Sequence, residues 1–105
     1  MKILIESPFS LSVEQKRSIE ERVSYLSTYN NKITQVSIYF KLDDGTMPNA
    51  VLAEIKLHVP GPEIFASETD GDYWSAFNGA YEKVKKQVRK KKEIRKDPYS
   101  QFRPI

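Results

Sequence analysis

Two runs of alternating residues set the terms on which this chain can fold. From Ile33 onward, Val36, Ile38, Phe40 and Leu42 alternate with Gln35, Ser37, Tyr39 and Lys41. Beyond a turn-rich loop, Asp43 to Ala50 (DDGTMPNA), Val51, Ala53, Ile55, Leu57 and Val59 alternate with Leu52, Glu54, Lys56 and His58. Neighbouring side chains of a strand point to opposite faces, so each run predicts a strand with one apolar and one wet side. A sheet made of such strands needs cover on one side only, and the helices of the chain must share that side.

The remaining elements follow from local signals. Lys2 to Glu6, KILIE, reads as a short strand ended by Ser7, Pro8 and Phe9, because proline cannot continue a ladder and restricts the residue before it. Ser12 with Gln15 three residues on is a capping-box pair, and Ile19, Val23 and Leu26 then recur at spacings of four and three. Tyr29, Asn30 and Asn31 close that helix. Its Lys16, Arg17 and Arg22 offset Glu14, Glu20 and Glu21, which makes it scaffold with no net charge. Pro60, Gly61 and Pro62 turn the chain into a third, shorter alternating strand, Glu63 to Thr69, with Ile64 and Ala66 inward. The order is β-α-β-β-β-α, an α+β two-layer fold. Its four-stranded mixed sheet has the first two strands parallel through a right-handed crossover, the others antiparallel, and both helices on one face.

The last helix, Asp70 to Lys96, carries the character of the chain. Asp70 or Asp72 caps it, where a carboxylate suits the positive end of the dipole. Tyr73, Trp74, Phe77, Ala80, Tyr81, Val84 and Val88 draw one apolar stripe that must face the core. Helical spacing makes the aromatics core residues rather than a base-stacking platform. From Lys83 to Lys96 there are nine positive residues against Glu93 alone, a local charge of +8 that leaves the rest of the chain at −5. Lys83, Lys86 and Lys90 fall opposite the stripe, with Arg89 and Lys96 on its flank. Lys91, Lys92 and Arg95 come round to the stripe side, so the helix is expected to run past the domain beyond about Val88 as a projecting basic rod. Compensating the helix dipole takes one or two charges, whereas nine repelling ones cost stability unless a partner neutralises them.

Length and composition bound the rest. The 105 residues make one domain, placed at 1–96, followed by a tail at 97–105 that has two prolines and no periodicity and is expected to be flexible. There is no cysteine, which excludes disulfides, thiolate zinc sites and cysteine nucleophiles. The N-terminus lacks a signal-peptide pattern and no window has the length of a membrane span, so a cytoplasmic protein with no membrane partner is expected. A pI near 9.1 with the charge gathered at one end suits a domain that meets a polyanion.

The candidate catalytic residues have plainer readings. His58, the only histidine, sits on a wet strand face with no serine or carboxylate forced near it by spacing, and reads as a solvated surface side chain. DDGTMPNA lacks the alternating ligands and closing glutamate of a calcium loop, and DGD fits a helix cap. No phosphate-binding glycine loop, nucleophile elbow or zinc signature occurs, so no catalytic residue, metal, cofactor or small-molecule substrate is expected.

The stretch PEIFASETDGDYWSAFNGAYEKVKKQVRKKK resembles the ribosome hibernation promoting factors and the ribosome-associated inhibitor. Glu63, Ile64, Ala66 and Ser67 match an E-I-x-A-S strand and Asp72 the aspartate opening the last helix. Lys83, Lys86 and Gln87 match K-x-x-(R/K)-Q, with Lys90 and Lys92 on further basic positions. The similarity extends to the capped first helix and ITQVSIYF; the DDGTMPNA loop and FRPI ending depart from the pattern. The resemblance implies a non-enzymatic domain that binds the small ribosomal subunit and its rRNA in the channel for mRNA and tRNA, inhibiting translation in stationary phase or starvation. It implies a short form without the dimerising C-terminal domain of the long ones, a monomer off the ribosome, and leaves open whether ribosomes are paired or only silenced.

On that reading Lys83, Lys86, Arg89, Lys90, Lys92 and Lys96 are the RNA-binding residues, and shape and charge do the recognition because an A-form groove is poorly readable by side chains. Two alternatives remain. A general double-stranded RNA-binding module also packs helices on one face of a sheet but lacks the leading strand Lys2 to Glu6. A protein-interaction module would dock the basic helix on an acidic partner, and its complexes would survive RNase.

Overall fold

The computed structural model of the protein describes residues 1–43 and 50–96, with side chains as far as Lys90 apart from that of Asp43. Its elements are β1 (Lys2–Glu6), α1 (Val13–Ser24), α2 (Leu26–Tyr29), β2 (Gln35–Asp43), β3 (Ala50–His58), β4 (Ile64–Asp70) and α3 (Tyr73–Lys96). The strands form one sheet in the order β1-β2-β3-β4. β1 runs parallel to β2 and the two hairpin pairs are antiparallel, as the connections require. The Asp43 to Ala50 loop lies largely, and the 97–105 tail wholly, outside the described residues.

Local chemistry explains the boundaries. Ser12 accepts the Gln15 N–H at 3.1 Å while Gln15 Oε1 accepts the Ser12 N–H at 2.8 Å, a complete capping box for α1. The expected single helix breaks at Tyr25, which is helical but ends α1 and precedes α2. Around the break the Ser24, Ser27 and Thr28 hydroxyls donate to the carbonyls of Glu20, Ser24 and Tyr25. Such back-bonding bends helices, and three polar β-carbons in five residues supply it here. Gly61, at φ 92°, makes the β3–β4 turn in a conformation other residues rarely adopt.

The core is a single layer between helices and sheet. Ile19, Val23 and Leu26 from the first helical segment and Phe77, Ala80, Tyr81, Val84 and Val88 from α3 pack on Val36, Ile38, Phe40, Val51, Ala53, Ile55, Leu57, Ile64 and Ala66. Two residues depart from the alternation. Leu42, expected inward, is 61% exposed: it lies two residues beyond Phe40, which Phe9 and Tyr73 cover. Ser37, expected on the wet face, is 1% exposed. It sits in a central strand between Leu4 and Lys56, and Gln35 Nε2 donates to its hydroxyl at 2.9 Å.

α1 and α3 run side by side in the same direction. Ser12 and Gln15 lie near Tyr73 and Trp74, Arg22 sits over Tyr81, and Arg89 near Tyr29. At 24 residues α3 is roughly 36 Å long, against roughly 23 Å for the seven residues of β4. Among the described side chains the buried stripe runs as far as Val88. About two turns of helical backbone continue beyond Val88. Among the described residues no helix is long and apolar enough to cross a membrane.

Candidate nucleic-acid interface

Asp72, not Asp70, begins α3. Its Oδ1 accepts the Ser75 N–H at 2.8 Å, its Oδ2 accepts the Ser75 hydroxyl at 3.0 Å, and its carbonyl accepts the Ala76 N–H at 3.1 Å. The Ser75 backbone N–H, then the Ser75 hydroxyl, holds the Asp72 carboxyl below its ordinary value of 3.8. Asp70 instead accepts the adjacent Gly71 N–H.

The aromatics of α3 are core, as their spacing implies. Rings run in contact from Phe9 and Phe40 through Tyr73, Trp74 and Phe77 to Tyr81, with centroids 5.5–6.2 Å apart. Burial pushes the Tyr81 hydroxyl above its usual pKa, against the pull of the Arg22 guanidinium 5.1 Å from its ring. That arginine was invisible as a functional candidate on a helix of zero net charge, since only packing brings α1 against α3.

The basic residues separate into distinct environments. Lys86 and Lys90 are exposed, and no charged or hydrogen-bonding partner meets them among the described residues. Arg89 is exposed, with its guanidinium 6.0 Å from the centre of the Tyr29 ring. Lys85 lies 3.3 Å from Glu82. Lys83 faces out but is engaged: its Nζ donates to the Ser67 carbonyl at 2.9 Å and lies 3.0 Å from Glu68 Oε1. Lys92 and Lys96 belong to the helical backbone, and their side chains lie outside those described.

β4 is an edge strand, and α3 covers that edge. Lys83 reaches the Ser67 carbonyl, and Gln87 Nε2 donates to the Phe65 carbonyl at 3.0 Å. Four residues of helix rise about 6 Å and two residues of strand about 6.6 Å, so successive turns of α3 meet alternate outward carbonyls of β4. Gly79, one turn earlier, leaves room for Glu68: a Cβ there would lie 2.5 Å from Glu68 Cγ. Spacing alone reveals the helix face of these residues, not that an unpaired strand edge lies beneath it.

His58 is not simply solvated. Its Nδ1 lies 2.9 Å from Glu63 Oε2 across the β3–β4 turn, a contact created by the turn and not by either strand's own pattern. Among the described residues no group of three His, Cys, Asp or Glu side chains is placed to hold a metal.

Residues 7–96 match the family described as sigma 54 modulation protein / S30EA ribosomal protein. The chain belongs to that family. Over 75 residues it is 32% identical to a ribosome hibernation promoting factor from Klebsiella oxytoca, a match covering 71% of this chain and 75% of that protein. Its fold is shared by a ribosomal subunit interface protein from Coxiella burnetii, with a TM-score of 0.76 and 17% identity over 89% of this chain and 99% of that one. It is shared also by the N-terminal domain of Protein Y from Thermus thermophilus, with a TM-score of 0.71 and 21% identity over 86% and 98%.

Proposed function

We propose that this protein is a ribosome hibernation factor that binds the small ribosomal subunit through its rRNA, in the channel for mRNA and tRNA, and inhibits translation in stationary phase or starvation. The domain that binds is 1–96, and the basic stretch from Lys83 to Lys96 supplies the phosphate contacts. The observation that carries this reading is the exposed row of Lys86 and Lys90 beside Arg89, without a charge partner among the described residues, on a helix anchored to the sheet, in a chain of the S30EA family. Fixed cations on a rigid rod suit a groove of phosphates better than flexible ones, because less side-chain and backbone freedom is lost on binding. The protein acts without chemistry of its own, as a cytoplasmic monomer off the ribosome, and its partner is rRNA rather than a small-molecule substrate.

The test is sedimentation of ribosomes from stationary-phase cells, with and without RNase. Co-sedimentation with small subunits or whole ribosomes, lost on RNase treatment, supports the reading. A complex that survives RNase indicates a protein partner for α3, and absence from all ribosomal fractions rejects ribosome binding under these conditions.

A further inference from the structure

We infer that Lys83 is a positioning residue rather than a phosphate ligand. With Glu68 and Gln87 it clamps α3 to the open edge of β4, and the phosphate contacts of the described residues fall to Lys86, Arg89 and Lys90. This inference rests on the RNA-binding reading of α3 and divides its basic residues by role.

The argument begins with the strand. Among the described residues β4 pairs only with β3, so its other side presents backbone carbonyls that must find donors. Ser67 and Phe65 lie two residues apart, and their carbonyls are met by Lys83 and Gln87, which lie four residues apart on α3. Glu68 then takes the Lys83 ammonium at 3.0 Å, and its methylenes fill the space above Gly79. Added to the buried stripe from Phe77 to Val88, three side chains and one glycine thus hold the rotation of α3 about its own axis. That rotation decides where Lys86 and Lys90, one turn apart and outside the clamp, are aimed. A lysine held by both a carbonyl and a carboxylate has one ammonium N–H left, whereas Lys86 and Lys90 meet no acceptor among the described residues.

The two roles predict opposite responses. A phosphate ligand contributes to the salt dependence of binding, and its loss lowers the slope of log affinity against log salt by about one. A clamp residue contributes to orientation, so its loss weakens binding with the slope unchanged. Glu68 sharpens the distinction: removing a negative charge near an RNA-binding helix strengthens binding if only charge matters, and weakens it if the clamp matters.

The experiment measures binding of the parent, Lys83→Met, Glu68→Gln, Lys86→Met and Lys90→Met proteins to purified small subunits across a salt series. Hydrogen exchange of α3 amides is followed in each free protein. We expect Glu68→Gln and Lys83→Met each to weaken binding by about two- to fivefold, the scale of a surface ion pair, at an unchanged slope and with faster exchange in α3. Lys86→Met and Lys90→Met should each lower the slope by about one and leave exchange as in the parent. Tighter binding by Glu68→Gln, or a lowered slope for Lys83→Met, overturns the inference. If the parent does not bind small subunits, the RNA-binding reading fails, while exchange still judges the clamp: parent-like exchange in both clamp variants rejects it.

Discussion

At the residue scale, Gly79 and Phe77 show how closely α3 is fitted. An exposed helical glycine replaced by alanine normally gains roughly 1 kcal/mol. At Gly79 the added methyl would lie 2.5 Å from Glu68 Cγ and 3.1 Å from its Cβ, so Glu68 must swing away and release Lys83. Gly79→Ala should therefore show no gain or a net loss in urea unfolding. The same change in a Glu68→Ala background should recover most of the gain. A full gain in the parent background would show that Glu68 moves aside without consequence. Phe77 is wholly buried among Trp74, Tyr81 and the strand residues, and Phe77→Ala should cost about 3 to 5 kcal/mol through the cavity it leaves. An unchanged melting temperature would mean that the helix does not pack through this face.

At the scale of elements, the alternation of Val36 to Phe40 and Val51 to Leu57 made the sheet legible, because a strand buried on one side writes its period directly into sequence. The capping box of α1 was legible for the same local reason: all its partners lie within three residues. Contacts between elements were not. Arg22 over Tyr81, Lys83 on Glu68 and His58 beside Glu63 join residues whose proximity depends on packing or on a turn. The basic face of α3 was therefore readable as a face, but that Lys83 on it meets Ser67 and Glu68 was not. The start of α3 illustrates the local case and yields a pH prediction. Asp72 has a folded-state pKa below 3.8, so its capping contribution is present above that value and is lost as pH falls through the folded-state one. Asp72→Asn keeps an acceptor for the Ser75 N–H but has no charge to titrate or to meet the helix dipole. Parent and variant should differ in melting temperature near neutral pH and converge well below 3.8. A difference that persists in strong acid would assign the effect to something other than this carboxylate.

At the scale of the whole molecule, charge is segregated: the stretch Lys83 to Lys96 carries +8 and the remainder −5. Such a molecule meets a polyanion end-on, with its acidic body held away, which favours orientation during encounter as well as affinity. Reversing charge on the outward face tests this without touching the fold. Lys86→Glu with Lys90→Glu changes the net charge by four units, from +3 to −1, at two exposed positions without core contact. Glutamate forms helix about as well as lysine, and opposite charges inserted among the remaining lysines relieve repulsion, so circular dichroism and melting should match or slightly exceed the parent. Binding should respond in the other direction. If about six phosphates are neutralised, parent affinity for small subunits should fall on the order of a thousandfold between 50 and 200 mM monovalent salt, taking duplex DNA as the guide. The double variant replaces two of those contacts by repulsions, so it should fail to co-sediment at 200 mM salt and show a shallower dependence wherever binding can still be measured. A folded variant that sediments with small subunits like the parent, along a salt curve of the same slope, would leave the outer face of α3 as solvated surface. The contact with the ribosome would then have to lie on another face, the wet side of the sheet being a broad surface that no described helix covers.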